Sequence, residues 1–409
     1  MTSSTTSVKQ VMLNKVSLMP QEEMLDIKKD SKIIKIGIPA DNSGIEHRVP
    51  LAPLAVEMLL KKGGDFEIII ERGAGKGANF SDHQYSEYGA RITEDKAEIY
   101  SADIILKIFP LTTEEIALLS GNQIIFTSLH TNTQDKNYFI ELMSKKVTAI
   151  AFESMQDNQG SNPIVKSMSE IAGRSSILIA SEYLSNVHKG KGEMLGGITG
   201  VSPSEVVIIG AGVAGTFAAQ TAYSLGALVK VFDYSVTNLS KLQQTVGANI
   251  FTSTIHSKVL LNAIKTADVV IGAIRNPDRM PNIIVTEEMV KMMKPNSVII
   301  DIGIDQGGIF ETGRPTTHKN PVYIKHGVIH YCVPNIASRV ARTASYAISN
   351  VLAEELLRFN KSGSLIQYLK QNPGIRSGVY IFNGVLTDEH IGLYHGLFSK
   401  DIDLLLAAL

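Results

Sequence analysis

The chain has 409 residues, 44% hydrophobic and 19% charged, and its 39 basic and 40 acidic side chains give a net charge of −1. A chain of this length usually folds into two or more domains. The balanced charge gives no indication of a nucleic-acid or anionic-membrane partner, and no apolar run reaches the roughly 18 residues of a membrane span. With Cys332 as its single cysteine, the chain forms no internal disulfide, which is typical of a cytoplasmic protein. The histidines show no metal-binding pair, so we predict no metal.

Strand-like and helix-like segments alternate from Ile33 onward. Apolar strands are predicted at 33–39, 67–71, 102–107, 123–127 and 147–152, with helices at 53–62, from 82 and at 113–119. In the first helix, Leu54, Met58 and Leu59 recur at helical spacing and predict one apolar face. Such alternation is typical of a mainly parallel sheet covered on both faces by helices. Residues 1–32 form an N-terminal extension without the continuous apolar core of a signal peptide.

The second half of the chain repeats the alternation. A long helix at 167–187 precedes strands at 205–209, 228–232, 269–273 and 297–301, and a helix at 343–360 leads out. Residues beyond 360 are too few for an ordinary domain, so we expect them to return to the first one. We therefore predict an α/β protein with two doubly wound parallel-sheet domains. The Rossmann dinucleotide-binding domain, 167–339, is inserted into a discontinuous substrate-binding domain, 33–166 and 340–409.

A glycine-rich turn marks the start of the second domain. The strand at 205–209 is followed by Gly210-Ala211-Gly212-Val213-Ala214-Gly215, a helix and a second strand that ends in Asp233. Gly210 permits the tight turn, Gly212 lets backbone amides approach a pyrophosphate, and Gly215 lets helix and strand pack closely. The helix N-terminus attracts the phosphates. Asp233 would accept hydrogen bonds from ribose hydroxyls and repel a 2′-phosphate, which favours NAD over NADP.

A second glycine-rich turn, Gly73-Ala74-Gly75-Lys76-Gly77-Ala78, also follows a strand. The residues after it do not begin an apolar helix, and Pro110 lies where a ribose-binding acid would be needed. We therefore do not predict a nucleotide there.

Several separated motifs resemble those of the alanine dehydrogenase family, a group that includes the nucleotide-binding part of proton-translocating transhydrogenase. The matching segments are 46–49, 102–107, 126–130, 168–174, 210–215, 301–308, 314–317, 331–335 and 372–379. Their order and spacing over most of the chain make the resemblance specific. It implies reversible oxidative deamination of L-alanine to pyruvate and ammonia with NAD, in a homo-oligomer that is usually a hexamer.

The resemblance also implies roles for individual side chains. Arg48 and Lys107, which we expect to lie side by side, would hold the substrate carboxylate, and Lys107 would also lie near the keto oxygen. His130 and Asp305 would be the catalytic acid/base groups. The cofactor residues would be Ser169 at the pyrophosphate and Asn335 at the nicotinamide, beside the glycines of the turn and Asp233.

The residue types suit this chemistry. Arginine offers a planar two-donor fork for a carboxylate. Making and hydrolysing an imine requires a group that titrates near neutrality, and histidine has that property. A nearby carboxylate such as Asp305 can stabilise an iminium, whereas Asp301 could brace the loop that carries it.

Two other hypotheses remain open. One is a related NAD-dependent dehydrogenase that acts on a different amino acid. The other is a non-catalytic NAD-binding subunit like that of transhydrogenase. His130 and Asp305 argue against the second, because a pure nucleotide carrier needs no acid/base pair.

Overall fold

The computed structural model describes residues 33–63, 65–129, 134–275 and 282–409, and their strands form two separate sheets. The predicted extension, 1–32, lies outside the described residues. The strands are β1 (Ile34–Ile38), β2 (Phe66–Glu71), β3 (Arg91–Thr93), β4 (Ile104–Leu106), β5 (Ile124–Thr127), β6 (Thr148–Ala151), β7 (Glu205–Ile209), β8 (Leu228–Asp233), β9 (Phe251–Thr254), β10 (Val269–Gly272), β11 (Val298–Asp301), β12 (Val322–Lys325), β13 (Val328–Tyr331), β14 (Val379–Phe382) and β15 (Val385–Leu386).

The first sheet has the order β15-β14-β6-β5-β4-β1-β2-β3. Strands β1 to β6 run parallel, and within this set the order changes direction between β1 and β4, as in doubly wound folds. The last two strands are antiparallel additions at one edge. The prediction that the end of the chain returns to the first sheet is therefore confirmed.

The second sheet has the order β12-β13-β11-β10-β7-β8-β9. Apart from β12, which pairs antiparallel with β13, its strands are parallel. The order from β9 to β13 is that of a Rossmann fold, with the change of direction between β7 and β10. Both sheets are mainly parallel, and the predicted fold class is confirmed.

Helices cover both faces of each sheet. They are α1 (Pro53–Gly63), α2 (Asp82–Glu87), α3 (Lys96–Tyr100), α4 (Thr113–Leu118), α5 (Lys136–Ser144), α6 (Pro163–Leu184), α7 (Val213–Ser224), α8 (Val236–Val246), α9 (Ser257–Thr266), α10 (Glu287–Lys291), α11 (Ala341–Ser362), α12 (Leu365–Gln371), α13 (Pro373–Arg376), α14 (Glu389–His395) and α15 (Ile402–Ala407). Alternate residues of a strand enter opposite cores. In β4, Ile104 and Leu106 enter one cluster and Ile105 the other. Such two-sided burial explains why the strands read as continuous apolar runs.

Two 22-residue helices, α6 and α11, connect the parts of the chain that form the two sheets. Helix α6 packs against α7 and α11, and α11 also packs against α1. The contact between α6 and α7 is close because position 173 is glycine: a Cβ there would overlap the carbonyl oxygen of Ala214. Among the described residues, no helix is long and apolar enough to cross a membrane.

Two local predictions differ from the structure. In α1 the buried face consists of Pro53, Ala55, Val56 and Leu59, whereas Leu54 is 53% exposed. The helix therefore packs through smaller side chains than predicted. Helix α6 begins at Pro163, four residues before the predicted start, because proline is well suited to the first helical turn.

Candidate active site

The glycine-rich turn leaves room for a cofactor. Gly210 has φ +113°, and a side chain there would collide with the backbone of Ala273 and Ile274 at the end of β10. A Cβ on Gly215 would overlap the Gly210 carbonyl, so this glycine brings α7 close to the strand. At Gly212 the Cβ direction is open, with no atom of a described residue within 4 Å. The turn is therefore a cradle whose open side a pyrophosphate can approach.

The groups around this turn also fit a dinucleotide. Helix α7 has 12 residues and begins after Gly212 without a side-chain cap, which leaves backbone N–H groups for phosphate oxygens. Asp233 ends β8 and is buried; its carboxylate accepts hydrogen bonds from the N–H of Ala211 at 2.6 Å and of Ser235 at 2.7 Å. The acid is thus fixed against the turn, where a ribose-binding group is required.

Arg48 lies in the loop after β1 and is held by a buried carboxylate, Glu46. Its Nε and Nη2 donate to the two oxygens of Glu46 at 2.8 and 2.6 Å. This parallel pairing fixes the plane of the guanidinium. The third nitrogen, Nη1, lies 3.3 Å from the sulfur of Met168 on α6. Because the fork with Glu46 uses one edge, the outer edge formed by Nη1 and Nη2 can receive a carboxylate.

Glu46 also binds the segment that follows β13. Its Oε2 accepts from Asn335 Nδ2 at 3.0 Å and its Oε1 from Ser338 Oγ at 3.2 Å. Burial opposes ionisation, but the charge of Arg48 and the hydrogen bonds from Arg48 and Asn335 outweigh it and lower the pKa of Glu46. We refer to Glu46, Arg48, Asn335 and Ser338 as the Glu46 junction. It brings together Arg48 and Asn335, which the sequence assigned to substrate and cofactor respectively.

Ser169 lies one residue after Met168 on α6 and is half-buried. The contact between Arg48 and Met168 therefore places this turn of α6 at the Glu46 junction. Asn335 itself adopts a left-handed backbone, with φ 64° and ψ 45°, a conformation that asparagine tolerates better than most residues.

Lys107 follows β4 directly and is buried, with 5% of its surface exposed. Its ammonium donates to both oxygens of Glu115 at 2.7 and 2.9 Å and lies 3.4 Å from the carbonyl oxygen of Pro110. Glu115 also accepts from the N–H of Thr112 in the capping box of α4. The sequence predicts Lys107 beside Arg48, but its closest described charge is this carboxylate.

Asp305 lies in a short 3₁₀ helix, Ile304–Gln306, that follows β11. Fully buried Asp301 braces this turn, because its two oxygens accept from the N–H groups of Gly303 and Ile309, each at 3.1 Å. Burial raises the pKa of Asp301 to about 7, against the two N–H bonds that lower it, and the charge of Asp305 adds to the rise. Gly303 packs on Ile274, next to the contact of Gly210. The Asp305 turn and the glycine-rich turn therefore both pack on the residues that follow β10, the strand that lies between β11 and β7.

His130 lies outside the described residues. The residue before it, Leu129, donates its N–H to Glu153 Oε1 at 2.7 Å, and the other oxygen of Glu153 is buried with no hydrogen bond to any described residue. In the part of the chain that the structure describes, no group of three or more His, Cys, Asp or Glu side chains could hold a metal ion.

Sequence reasoning missed two residues of this site. Glu46 was noticed only as part of a motif, because its partners Asn335 and Ser338 are 289 and 292 residues away. Glu115 lies in the predicted helix at 113–119, and its pairing with Lys107 was not predicted. A buried-strand lysine followed by an acid on the next helix could have indicated the pairing of Lys107 with Glu115.

Two family models together match most of the chain. The model described as "Alanine dehydrogenase/PNT, N-terminal domain" matches residues 37–172, and "Alanine dehydrogenase/PNT, C-terminal domain" matches residues 176–389. The chain belongs to the alanine dehydrogenase/PNT family. A relative from Methanococcus maripaludis named alanine dehydrogenase is 39% identical over 364 residues, covering 88% of this chain and 96% of its own length. One of the same name from Geobacillus stearothermophilus is 36% identical over 378 residues, covering 91% and 100%.

Solved structures of the family have the same fold. A structure of L-alanine dehydrogenase matches with a TM-score of 0.83 and 33% identity, covering 88% of this chain and 98% of its own. A transhydrogenase from Sinorhizobium meliloti matches with a TM-score of 0.73 at 24% identity, covering 87% and 99%. The second similarity concerns the fold alone.

The bracing of the Asp305 turn can be tested by Asp301→Asn. The amide has only one oxygen, so one of the two N–H groups loses its acceptor, which costs about 1–3 kcal/mol. We expect a thermal midpoint several degrees below that of the unchanged protein at pH 5. Because its pKa is raised from 3.8 to about 7 on folding, the neutral carboxyl stabilises the native state fully below the unfolded pKa, and this contribution is lost as the pH rises to the native pKa of about 7. The deficit of the variant should therefore shrink between pH 5 and pH 8.

Differential scanning fluorimetry across this pH range is the measurement, with Asp403→Asn as the matched control. Asp403 is exposed and pairs with Arg376 at the surface, so its replacement should change the midpoint by little at any pH. A deficit in Asp301→Asn that stays constant from pH 5 to pH 8 would contradict the neutral state of Asp301.

Proposed function

We propose that this protein catalyses the NAD-dependent, reversible oxidative deamination of L-alanine to pyruvate and ammonia. Relatives named alanine dehydrogenase, 36–39% identical over about nine-tenths of the chain, support the choice of substrate. The observation that carries the proposal is the Glu46 junction. It fixes Arg48, the proposed ligand of the substrate carboxylate, beside Asn335, the proposed nicotinamide contact.

In this proposal Arg48 binds the substrate carboxylate through the outer edge of its guanidinium. Because Glu46 already fixes the plane of the fork, little side-chain freedom is lost when substrate binds. Lys107, held by Glu115, presents its ammonium to the carboxylate and the keto oxygen. Both cations follow strands β1 and β4, between which the first sheet changes direction. Ligands of doubly wound sheets bind at such a point.

Proton transfers are assigned to His130 and Asp305. His130 would move the protons that form and hydrolyse the imine, a contribution typically worth about 10²–10⁴-fold in rate. Asp305 would stabilise the iminium from the side of the second sheet. Bound NAD would supply the hydride acceptor. Ser169, Gly210, Gly212, Gly215, Asp233 and Asn335 would hold the cofactor, with Asp233 selecting NAD over NADP.

The same proposal includes the organisation of the chain. Residues 33–166 and 340–409 would form the substrate-binding domain, and 167–339 the inserted NAD-binding domain. The family resemblance favours a homohexamer, and the single cysteine favours the cytoplasm.

The first test follows NADH absorbance in both directions of the reaction. We expect turnover with L-alanine plus NAD and with pyruvate, ammonium and NADH. His130→Ala should lower kcat by at least about 10²-fold while NADH binding, followed by fluorescence, is unchanged.

A panel of other 2-oxo acids with ammonium separates the rival hypotheses. If a larger 2-oxo acid turns over faster than pyruvate, the preferred substrate is the corresponding larger amino acid and not alanine. If NADH binds tightly but no amino or 2-oxo acid turns over, the protein is a nucleotide-binding subunit and the proposal is wrong.

Cofactor preference tests the role of Asp233. Replacement by Ala removes the negative charge that would face a 2′-phosphate, and we expect the ratio of kcat/KM for NAD over NADP to fall by about 10-fold or more. Asp403→Ala, at an exposed surface carboxylate, serves as the control and should leave the ratio unchanged. An unaltered ratio in Asp233→Ala would remove the basis for this assignment.

The Glu46 junction is tested by Glu46→Gln. The amide keeps the shape but replaces one acceptor of Arg48 with a donor and leaves the guanidinium unneutralised. We expect the KM for pyruvate to rise about 10-fold or more, since the plane of the fork is no longer fixed. Glu57→Gln, at a surface ion pair with Lys61, is the matched control. A folded Glu46→Gln variant with an unchanged KM for pyruvate would show that Glu46 does not position Arg48.

A further inference from the structure

A cavity of about 480 Å³ lies next to the Glu46 junction and is not part of the proposed chemistry. One wall is the segment at His47 with Gly77 and Asn79; the other is His318 with residues 338–343, the start of α11. The walls thus come from the first sheet's loops and from the segment that leads out of the second sheet. Gly77 packs so closely on the backbone of His47 that a Cβ would lie 2.7 Å from its carbonyl oxygen.

Among the described residues, the ionisable side chains that line this cavity are all basic: His47, His318, Arg339 and Arg342. The guanidinium of Arg342 donates to the carbonyl oxygen of Asn79 at 2.5 Å and lies 4.5 Å above the ring of Phe80. These two contacts hold the cation at the cavity wall without neutralising it. Arg339 is partly neutralised by Glu182 at 2.6 Å.

The backbone adds to the positive potential. Helix α11 has 22 residues and begins at Ala341 with no side-chain cap and no acidic residue in its first turn. Arg342 occupies that turn, where the helix dipole favours an anion and disfavours a cation. Cationic side chains and the positive end of a long helix therefore converge on one cavity, an arrangement that a bound anion would stabilise.

We propose that this cavity is a binding site for a small phosphate-bearing anion. A phosphate group has a charge near −2 and three oxygens that accept from guanidinium, imidazole and backbone N–H donors. The volume exceeds that of inorganic phosphate and leaves room for a small organic group on it. A single carboxylate would use fewer of the available donors.

The Arg339 end of the cavity lies away from the proposed cofactor residue on α6. Arg339 pairs with Glu182, which is 13 positions after Ser169 on α6. At 1.5 Å per residue, this places Glu182 about 20 Å along the helix from the proposed pyrophosphate contact. A phosphate bound at the Arg339 end of the cavity therefore need not compete with NAD.

The cavity is joined to the Glu46 junction by hydrogen bonds. His318 Nε2 donates to the carbonyl oxygen of Asn335 at 3.1 Å. The N–H of His47 donates to Ser338 Oγ at 2.9 Å, and that hydroxyl bonds Glu46. An anion that binds His318 or His47 would therefore shift hydrogen-bond partners of Asn335 and Ser338, and these two residues bind the carboxylate that orients Arg48. Resting on the proposed function, this linkage predicts that phosphate changes the KM for pyruvate rather than the KM for NADH.

The test uses the full chain and two probes, inorganic phosphate and glycerol phosphate, at constant ionic strength. Isothermal titration calorimetry is run with saturating NADH, so that the cofactor site is filled. We expect saturable binding, weakened at least about 10-fold by Arg342→Gln. Arg358→Gln changes the same residue type on the same helix, at an exposed ion pair with Glu354, and should bind as the unchanged protein does.

His318→Gln is the second variant, in case Arg342→Gln does not fold, and should also weaken binding. Tighter binding of glycerol phosphate assigns the site to a phosphate ester, and equal binding assigns it to the phosphate group itself. Absence of saturable binding, loss of binding when NADH is added, or equal affinity in both cavity variants and Arg358→Gln would overturn the site. Because calorimetry needs no turnover, this result is independent of the substrate assignment.

Discussion

The active-site region depends on one buried charge, the carboxylate of Glu46. Removing it from water is costly unless every oxygen is satisfied. The guanidinium of Arg48 forks onto it, two backbone N–H groups of the same loop donate to it, and Asn335 and Ser338 complete its partners. The loop after β1 and the segment after β13 are thereby locked together. Neither could move alone without breaking the hydrogen bonds from Asn335 and Ser338 to this buried carboxylate.

The two sheets share the same winding order, and this explains where the proposed substrate and cofactor residues lie. In each sheet the order changes direction between its first and fourth strands, β1 and β4 or β7 and β10. Loops diverge at that point and leave a crevice at the carboxyl ends of the strands. Arg48 and Lys107 follow the strands at the first crevice, and the glycine-rich turn lies at the second. The positions of the proposed substrate and cofactor groups therefore follow from the topology that the two sheets share.

A feature could be predicted from the sequence when the residues that define it lie close together along the chain. The turn at Gly210 and the acid at Asp233 form a local pattern, and the strands, buried on both faces, are apolar runs; both were predictable. Glu46 was not, because its partners are 289 and 292 residues away. The exposed Leu54 shows the same limit: helical periodicity indicates a helix, but which face is buried depends on packing against α11.

The charges at the site constrain what can bind. Arg48 and Lys107 are each paired with a carboxylate, Glu46 and Glu115, so this group of four is neutral without a ligand. A substrate carboxylate makes the group negative by one charge. In a partly dehydrated site that excess favours any positive charge that develops nearby. The iminium of the proposed reaction is such a charge. Pre-pairing the cations thus favours the cationic species on the reaction path over the neutral ground state, which is the difference that accelerates a reaction.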